Sequence, residues 1–170
     1  MAISATPIIP RDGVLTVKDG AGSPLSYVIP YSDGDFSFNG IVEDQSTVQV
    51  FRNRGRMYAA RKVEDQDLEF SFTAHCHALL GDGTTAGLFD VLAKKGVWAS
   101  ATSTLPAAAG DAFCVTLVFT AERTNLGATS DASVTLKYCH ISGDFQEGVP
   151  STISISGTAY SYSTDYLTVA

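Results

Sequence analysis

The sequence predicts an all-β protein: a two-sheet sandwich or barrel of antiparallel strands with one flanking α-helix at about residues 84–95. Three observations carry this. The run "LEFSFTAHCH" (68–77) alternates strictly, with Leu68, Phe70, Phe72, Ala74 and Cys76 on one face and Glu69, Ser71, Thr73, His75 and His77 on the other. Such alternation marks a strand with one buried and one polar side. Short β-rich runs punctuated by turn residues fill both halves of the chain. Only one stretch, "GDGTTAGLFDVLAKKG" (81–96), shows helical spacing.

The elements follow in order. Residues 1–11 read as a flexible arm ahead of a single domain that takes in the whole chain, 1–170. "GVLTVKDG" (13–20) alternates and breaks at the turn pair Asp19-Gly20. "PLSYVIP" (24–30) is a short run bracketed by prolines, which suit a sheet edge and not its middle. "STVQVFR" (46–52) and "RMYAARKV" (56–63) are joined by Asn53-Arg54-Gly55. They predict a hairpin with a three-residue loop and Gly55 in the left-handed position. In the helix, Thr84 or Thr85 is the expected N-cap and Leu88, Phe89 and Leu92 form the apolar stripe. Asp90 and Lys94 are spaced i,i+4, and Gly96 is the stop. "STLPAAAGDA" (103–112) reads as a surface loop. "AFCVTLVFTAE" (112–122), "ASVTLKYCHISGDF" (132–145) and "STISISGTAYSY" (151–162) then form a three-stranded antiparallel meander.

With 170 residues, 45% of them apolar, the chain can bury roughly 70% of the surface it exposes when unfolded. Its net charge of −7 disfavours nucleic acid or an anionic membrane as an attractive partner, because binding to phosphates needs a cationic surface. Charge is unevenly placed. "FRNRGRMYAARK" (51–62) holds five of the eleven basic residues and none of the eighteen acidic ones. The basic hairpin thus projects from an acidic body, and an acidic protein surface is its expected partner. The most abundant such surface is another copy of the chain. "MAISATPIIPRDG" does not read as an export signal and no run is long enough for a membrane span, which predicts synthesis and folding in a cytoplasm with reduced cysteines.

Catalytic chemistry finds little support. His75, Cys76, His77, Cys139 and His140 invite a zinc reading, but His75 and His77 share a strand face that Cys76 does not. Cys76–His77 and Cys139–His140 are sequence neighbours on strands, so each pair points apart, where a nucleophile and its base must meet. "GDGTTAG" lacks the lysine and hydroxyl of a phosphate loop, and capping accounts for its residues better. Glu43-Asp44, Glu64-Asp65, Asp67 and Glu69 read as surface charge. Trp98, the single tryptophan, reads as packed and not presented to a ligand. The expectation is no enzyme, no cofactor and no metal.

The opening "RDGVLTVKDGAGSPLSYVIPYSDGDFSF", the Arg-Gly hairpin and acidic turn of "FRNRGRMYAARKVEDQDLEFSF", the single mid-chain helix and the closing pair "SVTLKYCHISGDFQEG" and "STISISGTAYSY" carry a resemblance. Taken together, this order resembles the major tail tube protein of long non-contractile-tailed bacteriophages and gene transfer agents. The resemblance implies hexameric rings that stack into a tail tube through which DNA is delivered. One sheet of each subunit would line the lumen, and a hairpin would cross to a neighbour. By position Arg52, Asn53, Arg54, Gly55, Arg56, Met57, Tyr58, Arg61 and Lys62 match that crossing element, although the hairpin is shorter than an extended family arm. An anionic lumen would let DNA slide, with Glu43, Asp44, Asp67 and Glu69 as candidate lining groups. The implied partners are further copies of the chain, tape-measure, baseplate or distal tail and terminator proteins, and DNA in transit without specific binding. The implied location is a virion tail assembled in a bacterial cytoplasm. The alternatives are a capsid-decoration protein, a baseplate or injection-machine subunit (contractile systems included), or a carbohydrate-binding sandwich.

Overall fold

A computed structural model describes residues 13–29, 35–39, 46–75, 81, 84–122 and 130–170. Its strands are β1 (Gly13–Lys18), β2 (Ser26–Ile29), β3 (Ser37–Phe38), β4 (Ser46–Asn53), β5 (Arg56–Asp65), β6 (Leu68–His75), β7 (Val115–Ala121), β8 (Ala132–Gln146), β9 (Thr152–Ala159) and β10 (Leu167–Val169). One α-helix, α1 (Leu88–Ala93), and a 3₁₀ turn, Gly96–Ser100, lie between β6 and β7.

Eight strands hydrogen-bond in the order β2-β1-β7-β8-β9-β6-β3, with β10 also on β8, and every pairing is antiparallel. The long strand β8 serves both halves of this sheet. Residues 132–136 pair with β7, and 134–136 also pair with β10 on the opposite edge, whereas 139–146 pair with β9. Between the two stretches the β7 register slips and Tyr138 takes a φ of 57°, a bulge that re-aims the strand. The sheet folds over at this point and its two halves share one core. Leu15, Val17, Val115, Leu117 and Leu136 come from one half, and Leu68, Phe70, Phe72, Ile153 and Ile155 from the other. Phe36 bridges them, 5.6 Å from the Phe119 ring and 6.1 Å from the Phe72 ring. The result is a sandwich; β2 and β3 stay at opposite ends of the strand order, and no barrel closes among the described strands.

The predicted alternation in 68–75 is met residue by residue, with Leu68, Phe70, Phe72 and Ala74 buried. Opposite Phe70 stands Gly157, where an added Cβ would lie 2.5 Å from the phenylalanine ring and 2.2 Å from the His140 carbonyl, so only glycine fits. Helix α1 closes the core beneath the second half of β8, with Phe89 against Phe145 at 5.7 Å. It is shorter than the predicted 84–95. Gly87, and neither threonine, is the N-cap, because the Asp90 carboxylate accepts the Gly87 N–H at 2.8 Å and the Gly81 N–H at 2.7 Å. Asp90 is therefore buried and committed to backbone donors. Lys94 lies over the Phe113 ring at 4.6 Å instead of pairing with it, and the helix stops at Lys94 itself, left-handed at φ 53°; Gly96, the predicted stop, is also left-handed but lies beyond the cap and opens the 3₁₀ turn. Trp98 is packed, at 1% exposure.

Candidate assembly surface

The basic segment lies toward the tip of a hairpin, β4–β5, that forms its own two-stranded sheet and pairs with no other described strand. Ser46 opposes Asp65 at the base and Asn53 opposes Arg56 at the tip, so the ladder extends roughly 23 Å at ~3.3 Å per residue. The loop has two residues and not the three predicted. Arg54 and Gly55 both have positive φ, 48° and 82°, the backbone of a type I′ turn that matches strand twist. Gly55 is left-handed as expected, and Arg54 shares that conformation.

Nearly every hairpin side chain is exposed. Arg52, Arg54, Arg56, Arg61 and Lys62 stand in solvent, and so do Val48, Val50, Val63, Met57 (61%) and Tyr58 (70%). Val48 and Val50 alternate on β4, opposite Lys62 and Ala60, and give an apolar strip that is exposed among the described residues. An isolated two-stranded hairpin is marginal in water, so a second surface is needed to fix it.

The hairpin base is held more firmly. Asp67 accepts from the Ser161 N–H at 2.7 Å and its hydroxyl at 2.9 Å, while the Tyr166 hydroxyl donates to the Gln66 carbonyl at 2.9 Å. Burial raises the Tyr166 pKa, with Asp65 and Asp67 adding to the effect, so the phenol stays protonated as this donor. Tyr166 leads into β10, which the sequence reading missed because three residues carry no measurable period.

The outer face of β3, β6, β9 and the second half of β8 is a polar sheet. Ser37, Ser71, Ser156 and Ser142 stand in one cross-strand row. Ser37 and Ser71 hydroxyls are 3.0 Å apart, and those of Ser142 and Ser156 are 3.3 Å apart. The flanking rows are Glu69, Thr158 and His140 on one side, and Thr73, Ser154 and Asp144 on the other. No lysine or arginine stands in these rows. A shallow trough of about 680 Å³ lies over the serine and Glu69 rows.

Of the four candidate lining carboxylates, Glu69 lies on this face. Asp67 does not: it sits in the β5–β6 connection, bound to Ser161. Glu43 and Asp44 lie outside the described residues, as do Cys76, His77 and the arm at 1–11. His75 and His140 stand on the polar face, while Cys139 is buried and burial drives its thiol pKa far up, which makes it inert. Among the described residues no group of three or more His, Cys, Asp or Glu side chains could hold a metal, and no helix is long and apolar enough to cross a membrane.

No protein-family model and no curated protein matches the chain. Among solved structures it is similar to a chain of an extracellular contractile injection system, from the cryo-EM structure of its PVC sheath/tube terminator in the extended state. The TM-score is 0.56, the identity 11%, and the match covers 99% of both chains. At that identity the likeness concerns the fold, and it takes in nearly the whole length of both chains.

Proposed function

We propose that the chain is a structural subunit of a tube-type assembly, forming hexameric rings that stack into a tail tube and conduct DNA. The observation that carries this reading is the hairpin: a basic tip and an exposed apolar strip on a body that is otherwise strongly acidic. Binding a neighbouring copy covers the strip and pairs the charge, and complementary charge of this kind sets orientation and register. The polar sheet face is the natural channel lining. It offers hydroxyls and two carboxylates with no cation to hold phosphates, so DNA passes without capture. Edge-to-edge closure of the sheets around a ring also satisfies the outer edge of β8 at residues 140–146.

The full-length likeness to the injection-system chain favours a second reading within the same class, a ring that ends a tube instead of repeating along it. Sedimentation of the purified protein across concentration and salt tests the first reading. Salt-sensitive particles of ring multiples, lost on deletion of residues 53–57, are expected. Unchanged assembly after that deletion refutes the role of the hairpin, and single rings that never stack favour the terminating ring.

A further inference from the structure

We infer that the hairpin tip of one copy seats in a specific groove of a second copy, at the base of that copy's own hairpin; this rests on the assembly reading above. The groove, of about 400 Å³, lies between the loop at 105–112 and the segment Tyr160–Tyr162. Leu105, Ala109, Tyr160 and Tyr162 give it apolar walls, and Asp67 and Asp111 supply carboxylates. Tyr162 is half exposed and its ring is held edge-on to Tyr138 at 5.2 Å, so the wall is pre-formed.

The tip is the chemical complement. Arg54 stands in the turn and Arg56 directly after it, next to exposed Met57 and Tyr58. Guanidinium groups stack on tyrosine rings and bind carboxylates in a planar fork, and Arg, Met and Tyr are the residues enriched where protein surfaces meet. Geometry excludes the chain's own groove. Asp67 follows the hairpin base by two residues, whereas the tip lies at the far end of the ladder, roughly 23 Å away. A second copy must therefore supply the groove. Repeated head to tail, such a contact generates closed rings or an open tube.

The test uses a fluorescent, cyclised hairpin peptide spanning Val50–Ala59, titrated into the full-length chain carrying Arg54→Glu and Arg56→Glu, whose own tip cannot compete. Saturable binding is expected, weakened by about tenfold or more when Asp111→Arg or Tyr162→Ser is added, and weakened by salt. Asp111 is an exposed loop residue, so its variant keeps the fold; melting curves verify both variants. Absent binding, or binding indifferent to both groove substitutions, overturns the inference. Wild-type protein that forms tubes while the peptide ignores the groove refutes this contact alone. Groove-dependent peptide binding by a wild-type chain that never forms rings refutes the tube reading alone.

Discussion

Replacing Met57 and Tyr58 together by serine separates assembly from folding. Burying a large apolar side chain completely is worth ~1.5–3 kcal/mol. Met57 and Tyr58 are 61% and 70% exposed, so most of that gain is still available to an interface. The pair therefore contributes roughly 2–4 kcal/mol per contact, which corresponds to roughly 1.5 to 3 orders of magnitude in subunit affinity. The monomer has far less to lose. Among the described residues Tyr58 has one ring neighbour, Phe51 at 6.3 Å, and such a pair is worth ~0.5–1.5 kcal/mol. Sedimentation velocity over a concentration series gives the assembly threshold, and urea unfolding of dilute protein gives monomer stability. The threshold is expected to rise by at least tenfold while stability shifts by less than about 1.5 kcal/mol. An unchanged threshold refutes the reasoning. So does a monomer that loses several kcal/mol, since the tip would then already be packed on its own body.

Other outcomes follow from the core and the termini. Trp98→Ala empties a fully buried site and should cost ~3–5 kcal/mol in denaturant unfolding, without altering the hairpin. Asp90→Ala strands the Gly81 and Gly87 N–H groups and should cost ~3 kcal/mol or more; Asp90→Asn, which keeps one acceptor, should recover part of it. Lys137 and Asp165 pair beside β10, and the pairing lowers the Asp165 pKa and raises that of Lys137. A carboxylate with a depressed folded pKa stabilises above its ordinary 3.8 and loses that contribution as pH falls through the folded value. The raised lysine acts in full below its ordinary 10.5 and fades as pH rises through its own folded value. Lys137→Ala should thus lower the melting temperature slightly at pH 7, less so in high salt because both groups reach solvent, and not at all once the pH has fallen through the lowered Asp165 value.

Local patterns were legible in the sequence and non-local pairings were not. β6 was readable because alternation reports a two-faced strand directly. β8 was readable as one strand, but its bend at Tyr138 depends on which neighbour each half meets. The helix start was misplaced because Asp90 reads as a surface charge, while its burial comes from backbone donors supplied by Gly81 and Gly87. Asp19 does end β1 at a turn as its Asp-Gly pair predicts, but its burial was not legible: its carboxylate binds the N–H groups of Leu25 at 2.8 Å and of the distant Thr102 at 2.9 Å. In the candidate site, the hairpin and its charge stood out in the residues themselves. The serine row did not, since Ser37, Ser71, Ser142 and Ser156 come together only through three strand registers. The groove beside Tyr162 has no sequence signature either, being built from three separated segments.

Cryo-electron microscopy of the assembled particle tests the central claim most directly. The account predicts six-fold rings whose channel is lined by Ser71, Ser142 and Ser156, with each hairpin laid on a neighbouring copy. Trimers, or a particle whose hairpins point into solvent and whose serine row faces outward, would contradict it.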